Sequence, residues 1–463
     1  MSKFDLALRR ADYYSDGKHY QGCILVKDGK IAEIVAPDAV VDAAKVIDAA
    51  GLVVLPGLID THVHFREPAR PDKEDYYSGT RAAAAAGFTT ICEMPTTFPP
   101  LDTQTILLQR RKLATGHAIT DYAFYGAASF SNLEHLQELA DAGVCAFKTF
   151  LNYGAAGISK EARGYSVHDD GELYLLLQEI AKTGLRCCFH CENYAIIEHL
   201  EQKAHVQRDE AYHFHYLTRP NVTEAQAVAT VLQLAKATGA KVGICHISTA
   251  EACQLVRQAQ KEGLDVTAEI CYHYLVFDAS AIDIYGPYAK CNPPLRSKAD
   301  VMALWDALAD GTATILGSDH APHTKKEKER GCCEGIWQAP SGIPTIEAFL
   351  PFMLTAVNQG RLTFAQLSQY LAANAARLFG FYPQKGIIEV GSDGDFTIVD
   401  PSVSYQFTIS NMVSKARENG IIFEGTPCQG KVIYTICRGK ILLMDGNLTT
   451  EPPSGQWVVN VRK

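Results

Sequence analysis

His62, His64 and Arg66 stand at alternate positions at the end of the apolar run LIDTHVHF. Alternate side chains of a strand share a face, so one face carries two imidazoles and a guanidinium where Val or Leu should pack. Such a face is either a partly exposed polar edge or the start of a metal site. Four more ionisable residues close apolar runs further on: Lys148 in CAFKTFLN, His190 in RCCFHCEN, His246 in KVGICHIS and Asp319 in TILGSDHAP. Burying these groups without partners is costly, and a bound cation is the natural compensation. Imidazole with carboxylate suits Zn first, with Mn or Co as alternatives, and not Ca or Mg. Four His and one Asp are more than a single catalytic ion needs, which points to two divalent ions about 3.5–4 Å apart. An ammonium cannot ligate a metal. Lys148 therefore either pairs with a carboxylate, or loses its proton beside the cations and takes up carbon dioxide as a bridging carbamate.

The elements that must position these residues form a regular series. Eight short β-branched runs, from LIDTHVHF to TILGSDHAP, alternate with amphipathic stretches such as NLEHLQELADAG and GELYLLLQEIAKTG, most of which close on glycine. Glycine is the expected residue just past a helix end. Eight strand–helix units in series predict an α/β protein built on a (β/α)8 TIM barrel over residues 57–382. In that architecture the strand ends carrying the six ionisable residues meet at one mouth, where barrel active sites lie. The flanking segments, 1–56 and 383–463, read as short strands with turns, as in the hairpin pattern around KDGK. They are expected to pair as one small β-sandwich drawn from both chain ends.

Composition removes several functions. Of 463 residues, 43 are Lys or Arg and 52 are Asp or Glu, a net charge of -9 with no basic stripe, which argues against nucleic acid. The apolar runs are too short to span a membrane, and MSKFDLALRRADYY lacks a signal-peptide core. The 14 cysteines fall largely on core-like runs and read as small hydrophobes in a reducing, cytoplasmic setting. Cys188 and Cys191 have C-x-x-C spacing, but alternation sends them to opposite faces. His213 and His215 read as surface or lid residues, and His273 as a pocket neighbour behind the ligands. The charged run KKEKERG, 325–331, reads as a solvated loop or a lid.

The motifs DTHVHF, GVCAFKTF, FHCEN, ICHIS and GSDHAP resemble, in order and placement, those of the cyclic amidohydrolases: hydantoinases, dihydropyrimidinases, dihydroorotases and allantoinases. NAARLFGFYPQKGIIEVGSDGDFTIVD is similar to the superfamily's handover from barrel to sandwich, so the resemblance covers essentially the whole chain. It implies two ions, one held by His62, His64 and Asp319 and one by His190 and His246, bridged by carboxylated Lys148. It further implies Asp319 as the acid/base that opens a small-molecule cyclic amide, and a homotetramer or homodimer. Tyr153, five residues after Lys148, resembles the tyrosine of hydantoinases that donates to the developing oxyanion. Arg66, His323 and Asn292 look instead like the dihydroorotase contacts to a substrate carboxylate, while Thr96 in MPTT stands where dihydroorotases carry Asn. EMPTTFPP and IWQAPSG look most like the L-hydantoinase branch. The expected order is hydantoinase, then dihydroorotase, then allantoinase. A mononuclear deaminase would lack the bridging lysine, and a non-catalytic scaffold relative would have lost ligands that are all present here.

Overall fold

The computed structural model describes residues 2–151, 165–206, 211–450 and 452–460. Eight parallel strands form the centre: β1 (Leu58–Val63), β2 (Phe88–Glu93), β3 (Asp121–Ala127), β4 (Ala146–Leu151), β5 (Cys187–His190), β6 (Val242–Ile244), β7 (Val266–Cys271) and β8 (Ile315–Gly317). They are hydrogen-bonded in chain order, and a parallel bridge between Val63 and His320 draws β8 back to β1. The result is the (β/α)8 barrel that the strand–helix series predicts. Its helices stop where glycine allows the chain to turn left-handed: Gly143, Gly184 and Gly239 have φ of 103°, 71° and 72°.

The chain ends build a second, mixed nine-stranded sheet, in which Phe4–Ser15 is central and Phe396–Gln406 pairs antiparallel with Val53–Pro56. The small β domain expected from both chain ends is present, its strands hydrogen-bonded in one nine-stranded sheet. Leu6, Val26, Ile398 and Ile436 share a buried cluster although they come from opposite ends of the chain. The hairpin at KDGK forms, with Asp28 and Gly29 both at positive φ. Gly57 carries the chain from this sheet into β1. A Cβ there would lie 2.2 Å from Thr89 Oγ1, so no other residue fits.

An ionic knot joins sheet and barrel. Lys385 Nζ, 1% exposed in its side chain, pairs with Asp121 at the start of β3, with Asp393 at 2.9 Å and with Asp395 at 2.7 Å. Arg438 also pairs with Asp121. These carboxylates lift the lysine pKa well above its usual value although burial opposes it.

All 14 cysteines are free and twelve are buried. Cys188 faces the barrel interior and Cys191 the outer core, the opposite faces that alternation requires. Among the described residues no helix is long and apolar enough to cross a membrane.

Candidate metal centre

His62 and His64 lie at the end of β1 and just beyond it, where the backbone turns into the barrel mouth. His62 Nδ1 is 2.7 Å from Glu269 Oε1, which leaves Nε2 facing Asp319 Oδ1 at 3.4 Å. His64 is held in the same manner: Nδ1 is 2.8 Å from Thr96 Oγ1 and Nε2 is 3.1 Å from Asp319 Oδ1. Ligand atoms of these three residues all lie within 4.8 Å of one another, close enough to hold one ion. Across the mouth, His190 Nε2 sits 2.9 Å from Glu192 Oε2, and its Nδ1 comes within 3.1 Å of His246 Nε2. Lys148 on β4 is fully buried, and among the described residues its Nζ has no hydrogen-bond partner. Burial depresses the pKa of both His190 and His246, and the positive charge of Lys148 adds to it. The six strand-end residues are therefore neighbours, and five of them line a cavity of about 550 Å³.

The electrostatics favour a cation at this place. Burial opposes charge on His62, yet Glu269 and then Asp319 outweigh it and lift its pKa to about 10. Burial likewise opposes charge on Asp319, but the imidazoles of His62 and His64 hold its carboxyl well below the usual range. Burial pushes His64 down to about 3 and His246 well below its ordinary value, so both present neutral lone pairs, the form that binds metal. Lys148 is raised despite burial, by Cys245 and Glu269. Cys245 cannot supply that anion at neutral pH, because burial pushes its own pKa well above normal. An ammonium with three donors and no acceptor is poorly served here. The donor set fits divalent ions of the zinc type.

The backbone is strained where the ligands sit. His246 and Asp319 have φ of 37° and 47°, a region that costs a non-glycine residue roughly 1–3 kcal/mol.

The candidate substrate contacts divide. Arg66 lines the cavity and donates from Nε to Pro322 O at 3.2 Å. Asn292 lines it too, and its Oδ1 accepts from Ser341 Oγ at 3.1 Å. Thr96 turns its hydroxyl to His64. His323 reaches the cavity, but Nε2 donates to Ser341 O at 3.0 Å and Nδ1 accepts from Lys73 Nζ at 3.1 Å. Burial and the charges of Arg66 and Lys73 hold it neutral, so both of its nitrogens are spent within the protein. Tyr153 lies outside the described residues.

Three features differ from the sequence reading. KKEKERG forms the helix Lys325–Glu334, capped by Thr324 and Glu327, with Lys328 buried and Glu327 on the cavity wall. It is no solvated loop, because the Pro287, Lys290 and Pro340 carbonyls enclose the Lys328 ammonium. His215 is buried and its Nε2 donates to Cys291 O at 2.8 Å, whereas a surface or lid position was expected. Lys73 and Arg70 line the cavity unforeseen, pairing with Glu327 at 2.9 and 3.0 Å. His273 is buried and is not among the residues that line the cavity.

Residues 53–442 match the model of the amidohydrolase family. The chain belongs to the amidohydrolase family. It is 34% identical to an L-hydantoinase of Paenarthrobacter aurescens over 457 residues, 98% of each chain. It is 33% identical to an allantoinase of Escherichia coli over 459 residues, 98% of this chain and 99% of the relative. It is 34% identical to a dihydroorotase of Methanosarcina acetivorans over 461 residues, 98% of this chain and 95% of the relative. The solved structure of the L-hydantoinase (dihydropyrimidinase) from Arthrobacter aurescens superposes with a TM-score of 0.93, 34% identity and coverage of 98% of this chain and 100% of that one.

Proposed function

We propose that this amidohydrolase opens a cyclic amide or ureide ring by hydrolysis, in the manner of a hydantoinase or dihydropyrimidinase, releasing an N-carbamoyl amino acid. The observation that carries this is the pair of ligand groups across one mouth, His62–His64–Asp319 and His190–His246, with a buried Lys148 beside both whose Nζ has no hydrogen-bond partner among the described residues. Lys148 as a carbamate would complete the donor set that holds two zinc ions, with Mn or Co as alternatives. Bound there, the ions would supply a nucleophilic water at neutral pH and polarise the ring carbonyl.

The chain's own residues do the rest. Asp319, held well below the usual carboxylate range, is ionised and able to take the proton freed by nucleophilic attack. Passing it to the departing ring nitrogen lets that nitrogen leave as the neutral carbamoyl NH2 of the product rather than as an anion. Tyr153 is proposed to donate to the developing oxyanion. Arg66, with Lys73 beside it, gives the outer cavity a positive wall, which suits a ring bearing an acidic substituent. The same wall, with Asn292, favours dihydroorotate as the second reading; allantoin comes third. The 14 free cysteines are in keeping with a reducing, cytoplasmic location.

A panel assay tests this: zinc- or manganese-loaded protein prepared with bicarbonate, offered dihydroorotate, dihydrouracil, allantoin, and simple, aryl and carboxymethyl hydantoins. Ring opening of hydantoins or dihydrouracil supports the first reading, and turnover of dihydroorotate alone supports the second. No ring opened by the loaded protein would overturn both.

A further inference from the structure

The geometry points to Glu269 as a positioning residue of the metal centre, one carboxylate that fixes a ligand on each side of it. The inference rests on the two-ion reading above and concerns a residue outside the ligand set proposed there. Glu269 sits on β7 and is 4% exposed. Its Oε1 is 2.7 Å from His62 Nδ1 and accepts from the His246 backbone N–H at 3.2 Å. Its Oε2 accepts from the Thr61 hydroxyl at 3.2 Å.

Each contact has a consequence for the ligands. An ionised carboxylate only accepts, so the short bond to His62 requires a hydrogen on Nδ1 and turns Nε2, the nitrogen that would bind the ion, toward Asp319. The bond to the His246 N–H secures a backbone at φ 37°, a conformation that needs outside support. Thr61, next to His62 in sequence, fixes the other carboxylate oxygen, so Glu269 cannot swing away. The barrel is shaped to admit it: a Cβ on Gly317 would lie 2.9 Å from Glu269 Cδ. Glu192 backs His190 in a similar way, but Arg219 Nη1 donates to the same Oε2 at 2.8 Å and shares its charge. The hydrogen-bond partners of Glu269 are an imidazole, a hydroxyl and an amide, together with the weak thiol donor of Cys271. Its charge therefore acts on His62 and the ion His62 would hold, and also on Lys148.

Removing such an outer partner typically weakens metal binding by roughly 10- to 100-fold. The test compares wild-type protein with Glu269→Gln and Thr61→Val, all expressed with zinc. Zinc per chain is read by elemental analysis, zinc release by a chromophoric chelator, and folding by circular dichroism and melting temperature. Gln keeps the shape of Glu269 without its charge; Val keeps the shape of Thr61 without its hydroxyl. Two zinc ions in the wild type, with one released roughly 10- to 100-fold faster from Glu269→Gln and faster also from Thr61→Val, supports the inference. Should Glu269→Gln not fold, Thr61→Val decides. A merely structural role would lower the melting temperature and leave both release rates as in the wild type, and that result would overturn the inference. Fewer than two ions in the wild type itself would defeat the two-ion reading, and the inference with it.

Discussion

Replacing Arg66 by Met should separate acidic rings from neutral ones. The Arg66 Nε is committed to the Pro322 carbonyl at 3.2 Å, so its terminal nitrogens form the fork available to a carboxylate. Met keeps the stem and removes the fork. Two charge-assisted hydrogen bonds are at stake, each worth roughly 1.5–3 kcal/mol, and Lys73 remains to offset part of the loss. A net cost of about 2–4 kcal/mol follows, a fall of roughly 30- to 900-fold in kcat/KM for carboxymethyl hydantoin or dihydroorotate. Neutral hydantoins and dihydrouracil should change by less than about 3-fold, a loss under about 0.7 kcal/mol. Steady-state kinetics on both classes provides the measurement. Equal losses on both would show that Arg66 acts through the Pro322 loop, and no loss on the acidic rings would show that it meets no carboxylate.

Two further outcomes concern stability. Lys385→Met leaves Asp121, Asp393 and Asp395 facing one another without their shared ammonium, and breaking a buried pair costs about 3–5 kcal/mol; urea denaturation showing a loss under about 1 kcal/mol would contradict the knot. The Glu327 carboxyl, for which burial is outweighed by the Thr324 amide and Lys73, lies at about 2. A depressed carboxyl contributes stability above its unfolded pKa of about 4.5 that fades as pH falls toward 2. Glu327→Gln should therefore flatten the decline in melting temperature between those pH values, and an unchanged slope would refute the assignment.

The barrel was legible because its sequence alternates two periods and marks helix ends with glycines such as Gly143, Gly184 and Gly239. The ligands were legible because histidine and aspartate at the ends of apolar runs have no packing rationale. Glu269 was not: within VTAEICYHY it is one inward residue of a buried strand, and its partner His62 lies 207 positions away. Glu192 followed His190 by two residues and carried no motif of its own. The helix Lys325–Glu334 had a local signal, Thr324 with Glu327 three residues later, the pattern of a capping box. The density of charge masked it, since burial of Lys328 depends on carbonyls from distant loops. His215 was misplaced for a similar reason, because its acceptor, Cys291 O, is 76 residues away. Spacing within the chain identified what each strand end offers, and only the closed barrel revealed what stands behind it.

The most direct measurement is a zinc titration of metal-free protein in bicarbonate, following ring opening of a hydantoin. The two-ion account predicts that activity rises to a plateau at two zinc ions per chain, and that Lys148→Met reaches no plateau. Full activity at one ion per chain, or ring opening without any ion, would contradict it.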